Sequence, residues 1–190
     1  MNQKARELLR KAAHVLIGTG CLAGAWLVSN FYGAYALELA LAGVLAALVL
    51  ADILIADYGW KLPLYHNLQR KHEIEGLHTA TLGFVSSVIA YKLFALPIAI
   101  AAIAMLIYGD AAAAIVGILT ASGRKKSSFW RVLAMLAVSV AIGWFVFGWI
   151  GVVMGIAATL AECLTKKIDD AITIPVLAGI VGQLLAHFFL

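Results

Sequence analysis

The sequence predicts an all-α, polytopic integral membrane bundle of about seven transmembrane helices in one domain spanning 1–190, with its N-terminus in the cytoplasm. Composition is the first reason: 64% of the residues are hydrophobic, 13% are charged and the mean hydropathy is +0.98, against about 45–50% apolar and about 25% charged in a soluble domain. The second is a series of apolar runs at 12–30, 34–56, 76–91, 95–120, 130–147, 149–164 and 173–190, to be set against the about 20 apolar residues that cross a bilayer as a helix. The third is the placing of Lys and Arg, which gather at the ends of those runs and in the segments between them.

Taken in order, the first run follows the basic start Lys4, Arg6, Arg10 and Lys11. No small-x-small cleavage site ends it, so it is expected to stay as the first span rather than leave as a signal peptide. The segment 57–75 carries Lys61, Arg70 and Lys71 between the second and third runs, and QRKHEIEGLHTA reads as a solvated entry into the third. Val132 to Ala161 holds no charge; as one helix it would measure about 45 Å against a hydrocarbon core of about 30 Å. A hairpin near Gly148-Trp149-Ile150-Gly151 fits better and puts Arg124, Lys125, Lys126 and Arg131 on the same side as Lys166 and Lys167. With the N-terminus inside, all of the 14 Lys and Arg except Lys92 become cytoplasmic, and Glu38 is the only acid on the outer side. The last run is expected to start with Thr173 as cap and Pro175 in the first helical turn. Cys21 and Cys163 lie within or at the inner end of spans and read as small buried apolar residues rather than a disulfide.

The net charge of +4 is accounted for by topology, and no nucleic-acid partner is implied. One acid breaks the pattern. Asp110, in IYGDAAAAIVG, is the only charged residue between Leu93 and Ala121, and an intramembrane charge costs about 2.5–3.5 kcal/mol on insertion scales unless a polar cavity receives it. Gly109 and the alanines after Asp110 allow either close helix packing or close approach of a ligand. Proton relay, cation transport and Mg²⁺ binding beside a phosphorylated substrate are all uses of such a carboxylate. Near it in sequence stands the basic loop SGRKKSS; at the same membrane face AECLTKKIDDAITIP supplies Glu162, Asp169 and Asp170, which helix-dipole charge would also explain. Arg10 and His14, four residues apart, share a helix face.

Arg10-Lys11 with His14, Gly109-Asp110 through Gly117, Gly123 with Lys126-Ser127, and Glu162 followed by Ile168-Asp169-Asp170 and Thr173-Ile174-Pro175 resemble, in order and spacing, the CTP-dependent lipid kinases: dolichol kinase, phytol kinase and the CTP-using diacylglycerol kinase. The resemblance runs over nearly the whole chain and is strongest in GDAAAAIVG and IDDAITIP. It implies phosphoryl transfer from CTP to a membrane lipid hydroxyl, most naturally a long polyprenol or isoprenoid alcohol, at the cytoplasmic face. Asp110, Asp169 and Asp170 would then be the catalytic acids. Mg²⁺ would be held by Asp110, Glu162, Asp169 and Asp170, and Arg10, Lys11, His14, Gly109, Gly117, Gly123, Lys125, Lys126 and Ser127 would surround the nucleotide and its phosphates. Where the family has Glu-Gly-Ser shortly after Lys-Ser, this chain has Ser128-Phe129-Trp130-Arg131, and the family's Asp-Asp-Asn is here Asp169-Asp170-Ala171.

Three alternatives remain open on the sequence. A phosphatidate cytidylyltransferase-like CDP-lipid synthase would need similar contacts, an ion-coupled transporter would also retain Asp110, and a non-enzymatic lipid-binding subunit would tolerate Asp110→Asn.

Overall fold

The computed structural model describes residues 3–58, 79–120, 124–164 and 169–189, with side chains over 4–57, 80–120, 128–164 and 169–189. All regular structure in these segments is helical. The elements are α1 (Gln3–Tyr58), α2 (Thr79–Leu93), α3 (Leu96–Leu119), α4 (Arg124–Phe147), α5 (Trp149–Leu164) and α6 (Asp170–Phe189). Among the described residues, α1, α3, α4 and α6 contain stretches long and apolar enough to cross a membrane, and α2 and α5 are shorter apolar helices. Large apolar side chains face outward in number, Phe145 at 87% exposure and Leu16 at 76% among them; an aqueous surface does not carry so much apolar area, whereas a hydrocarbon one does.

The apolar runs 12–30 and 34–56 form the two helical limbs of α1, which are joined through a break in the helix. At Gly33 the backbone takes φ 85° and ψ 176°, a region closed to residues with a Cβ. The two limbs of α1 then wall a common cavity. The expected hairpin is present, with α4 and α5 meeting at Gly148, whose φ of 57° makes the left-handed turn that ends a helix. Its N–H donates to the Trp144 carbonyl at 2.9 Å. Near this turn the Gly143 and Gly151 backbones touch, so that a Cβ on either would fall inside the other helix of the hairpin. At Gly155 a Cβ would stand 2.7 Å from the Ser139 carbonyl carbon. Small residues thus bring α4 and α5 to backbone contact, as helices pack where apolar burial alone gives no drive.

The core lies between α3, α4, α5 and α6, where Met105, Met135, Met154 and Ile174 are fully enclosed. Unbranched methionines fill the irregular gaps left where alanines and glycines set helices close. A second cluster, Ala90, Ala99, Ile103 and Ile107, joins α2 and α3 to Val15 and Leu22 of α1.

The last helix starts earlier than the sequence suggests. Asp169 is the cap: the Ala171 N–H donates to its Oδ1 at 2.9 Å, and the Ile172 N–H to its carbonyl at 3.1 Å. Helix α6 therefore begins at Asp170, Thr173 is buried inside it, and Pro175 sits in its interior rather than its first turn. Aspartate outcompetes the later threonine because its acceptor is charged and faces the unpaired N–H groups of the first turn. Pro175 has no N–H, so the Ala171 carbonyl loses its helical partner. Ser86 of α2 fills the vacancy, its hydroxyl donating to that carbonyl at 2.6 Å. The proline thus creates the acceptor that ties α2 to the start of α6.

Candidate active site

The site forms where α1, α3 and α6 meet. Helix α3 reaches it through a π-helical segment, Met105–Gly109, and returns to α-geometry at Asp110. A π segment inserts an extra residue per turn and so re-aims the side chains after it, an arrangement found often at functional positions. The backbone at Gly109 has no room for a side chain, since a Cβ would lie 2.8 Å from Ser139 Oγ and 3.4 Å from Met135 Cγ. Gly109 therefore lets α4 press against α3 beside the acid. That gives it a packing task whatever approaches from the other side.

Asp110 accepts a direct ion pair from Lys11 of α1, ninety-nine positions away in sequence. Both side chains are withdrawn, at 10% exposure for Lys11 and 18% for Asp110. The lysine makes the buried acid tolerable, because an unpaired carboxylate there would lack water as well as partner. One turn further along α1, His14 stands within electrostatic reach of Asp110, Lys11 and Arg10, and its Nε2 is buried with no partner among the described residues. Arg10 is held by Glu7 through its Nη2 at 2.9 Å and its Nε at 3.2 Å.

Arg10, Lys11, His14, Asp110 and Asp170 line one end of a cavity of about 460 Å³. Its remaining wall is almost wholly apolar: Ile17, Leu22, Ala25 and Val28 from the first limb of α1, Leu37, Leu41 and Val44 from the second, Phe84 of α2 and Ile103 and Ile107 of α3. Eighteen residues separate Arg10 from Val28, about 27 Å of helix at 1.5 Å per residue. The cavity is within the about 300–1,000 Å³ range of small-molecule sites, and its shape and polarity are those of an amphiphile with a polar head and a long apolar tail. At its far end Tyr91, Leu37 and Leu41 also border a smaller cavity of about 200 Å³ that reaches Glu38 and Lys92. Those two pair with each other at 2.7 Å, both about half exposed.

Glu162, near the end of α5, lies within electrostatic reach of Asp110, Asp170 and Lys11. Its Oε1 is 3.8 Å from Arg131 Nη2, and its Oε2 is buried without a partner among the described residues. Asp170 is within reach of Asp110 and Lys11. Of the carboxylates that sequence reasoning groups, Asp110, Glu162 and Asp170 lie within electrostatic reach of one another, and Asp169, one oxygen of which caps α6, stands against the Asp170 side chain. Among the described residues no three His, Cys, Asp or Glu side chains are arranged tightly enough to hold a metal unaided. The donor chemistry nevertheless suits Mg²⁺, which takes oxygen ligands and usually binds through one or two carboxylates completed by substrate phosphates and water.

Gly117 lies beneath Arg131, whose Cδ would stand 2.7 Å from a Cβ added there. Lys125, Lys126 and Ser127 fall in the first turn of α4 with side chains outside the described residues, as do Gly123, Lys166, Lys167 and the segment 59–78 entirely. Sequence reasoning missed the π segment, the Gly33 turn and the place of Arg131. Only Gly33 gave a signal, as the glycine in the short Phe31-Tyr32-Gly33 gap between two apolar runs.

Compared with models of protein families, with curated proteins and with solved structures, the chain matches none.

Proposed function

We propose that this protein is a membrane lipid-alcohol kinase that transfers the γ-phosphoryl group of CTP to the hydroxyl of a polyprenol or similar isoprenoid alcohol. In this reading the chain crosses the membrane about seven times, the two limbs of α1 counting separately, with the N-terminus and the charged mouth of the cavity on the cytoplasmic side. One observation carries the proposal: the paired Lys11 and Asp110, with Arg10, His14 and Asp170, close the polar end of an elongated apolar cavity. The choice of CTP rests on the resemblance of GDAAAAIVG and IDDAITIP to the CTP-dependent kinases.

The roles follow from position. The apolar wall takes the isoprenoid chain, which leaves its hydroxyl among the charged groups and out of bulk water. Asp170, on the cavity wall beside Asp110, accepts the hydroxyl proton. The freed oxygen attacks the γ-phosphorus, the bond from that phosphorus to the β,γ-bridging oxygen breaks, and CDP departs. Lys11, Arg10 and His14 hold negative charge on the transferred group, since phosphoryl transfer depends chiefly on positioning and charge stabilisation. Mg²⁺, bound by Asp110 with Glu162 or Asp170 and by the nucleotide phosphates, would supply further neutralisation of that charge.

The test is purified protein in detergent with Mg²⁺, CTP labelled in the γ- or α-phosphate, and a panel of polyprenol, phytol, geranylgeraniol, diacylglycerol and phosphatidic acid. Label from the γ-position in an alcohol, lost in Asp110→Asn, supports the kinase. Label from the α-position in a lipid points to a CDP-lipid synthase. No labelled lipid with CTP, ATP or GTP overturns both.

A further inference from the structure

We infer that Arg131 and Glu162 form a donor-phosphate subsite separate from the lipid cavity, so that nucleotide and lipid reach Asp110 from opposite sides. The inference rests on the phosphoryl-transfer reading and adds a residue and a direction of approach to it.

Asp110 and Asp170 border the apolar cavity, whereas Glu162 and Arg131 do not. They lie on α5 and α4, and neither of these helices packs extensively against α1. Lys11 and Arg10 both line the lipid cavity, where they face the transferred group. Arg131 is differently placed. Its aliphatic stem crosses α3 over Gly117, and only the bare Cα there admits it. The guanidinium is half exposed, and its 3.8 Å approach to Glu162 is too long for a hydrogen bond. A half-exposed pair of that length holds its arginine only loosely. The planar donors therefore remain available for bidentate contact with phosphate oxygens.

Glu162 explains why an arginine is required at that point. With a buried oxygen that has no partner among the described residues, Glu162 would repel an approaching polyphosphate unless a cation stood between them. Arg131 is the cation that stands beside Glu162. The non-transferred phosphates of a nucleoside triphosphate thus meet Arg131, while Arg10 and His14 on the cavity wall face the phosphate as it arrives on the lipid. A nucleotide seated on Arg131 leaves the apolar cavity free for the chain of the alcohol.

Equilibrium titration of the purified full chain in detergent with CTP and with inorganic pyrophosphate tests this, comparing wild type with Arg131→Gln, Arg131→Lys and Gly117→Ala. Arg131→Gln is expected to weaken CTP and pyrophosphate binding about tenfold or more, as loss of charge-assisted hydrogen bonds does. Arg131→Lys should recover part of it, and Gly117→Ala should weaken it with the arginine intact, because the added methyl displaces the stem. Binding of a fluorescent polyprenol should change less than about twofold in all three, which also shows that they are folded. Unaltered CTP affinity in Arg131→Gln, or no nucleotide or pyrophosphate binding by wild type, overturns the inference. If wild type binds CTP through Arg131 but phosphorylates no lipid, the kinase reading fails and the subsite stands. If wild type phosphorylates lipid and Arg131→Gln leaves KM for CTP unaltered, the subsite fails and the kinase reading stands.

Discussion

Replacing Lys11 with methionine keeps the length of the side chain and removes the cation facing Asp110. The two side chains are 10% and 18% exposed, so neither partner can recover full hydration when the other is lost. Breaking a buried pair from one side typically costs about 3–5 kcal/mol, whereas replacing both members is often near neutral. The surroundings make the two single losses unequal. Without Lys11, Asp110 is left facing Glu162 and Asp170, both of which Lys11 also attracts, so Lys11→Met should fall in that range. Asp110→Asn leaves Lys11 with those two carboxylates and removes their repulsion from Asp110; its cost should be about 1–2 kcal/mol, of the order of one hydrogen bond. The double variant should match Asp110→Asn within about 1 kcal/mol, giving strong coupling between sites distant in sequence. Unfolding in mixed micelles by titration with dodecyl sulfate, followed by fluorescence of the 5 tryptophans, measures all four forms. Additive losses, or a Lys11→Met cost under about 1 kcal/mol, would refute the reasoning that Lys11 is what makes Asp110 tolerable.

Other consequences are open to the same kinds of measurement. Ser86→Ala should cost about 1–3 kcal/mol, because it strands the Ala171 carbonyl that Pro175 leaves unpaired; Pro175→Ala in the same chain should recover much of that by restoring a helical N–H. Gly143→Ala should cost about 3 kcal/mol or more, since the methyl meets the Gly151 backbone and drives α4 from α5. Gly33→Ala should cost about 1–3 kcal/mol in the same titration from its backbone conformation alone, no other described group being near enough to collide. Glu38→Gln and Lys92→Gln, at the far end from Asp110, should leave phosphotransfer within about twofold of wild type; a transporter would need polar groups there, and loss of function in these variants would favour transport.

Periodicity and composition read the helices well, because an uninterrupted apolar run has few other ways to satisfy its backbone. The hairpin at Gly148 is legible for a geometric reason: the uncharged run from Val132 to Ala161 is too long for one crossing. The grouping of Arg10, Lys11 and His14 with Asp110 and Asp170 comes from the resemblance, while charge alone brings most of the basic and acidic residues to one membrane face. Which of them touch is legible in neither. The Lys11 to Asp110 pair depends on how α1 packs against α3, and nothing local to either segment encodes it. Asp169 and Asp170 look alike in sequence, yet one turns its carboxylate to the backbone as a cap and the other lines the cavity. Thr173 is the weaker of two possible caps, and choosing it over Asp169 misplaces the start of α6. The sequence leaves Gly109 open either to close helix packing or to approach of a ligand, and the resemblance adds Gly117 near the nucleotide; the bare faces of the two are met by Ser139 and by the stem of Arg131.

A lipid alcohol lying in the apolar cavity, with its hydroxyl among Lys11, Asp110 and Asp170, is the central claim. Photolabelling of the purified protein with an isoprenoid alcohol carrying a diazirine near its distal end, with adducts located by mass spectrometry, tests that directly. Labelling is predicted on far-end cavity residues such as Val28, Leu37 and Leu41, with excess unlabelled polyprenol abolishing it. Adducts confined to outward-facing residues such as Trp144 and Phe145, undiminished by competitor, would contradict it.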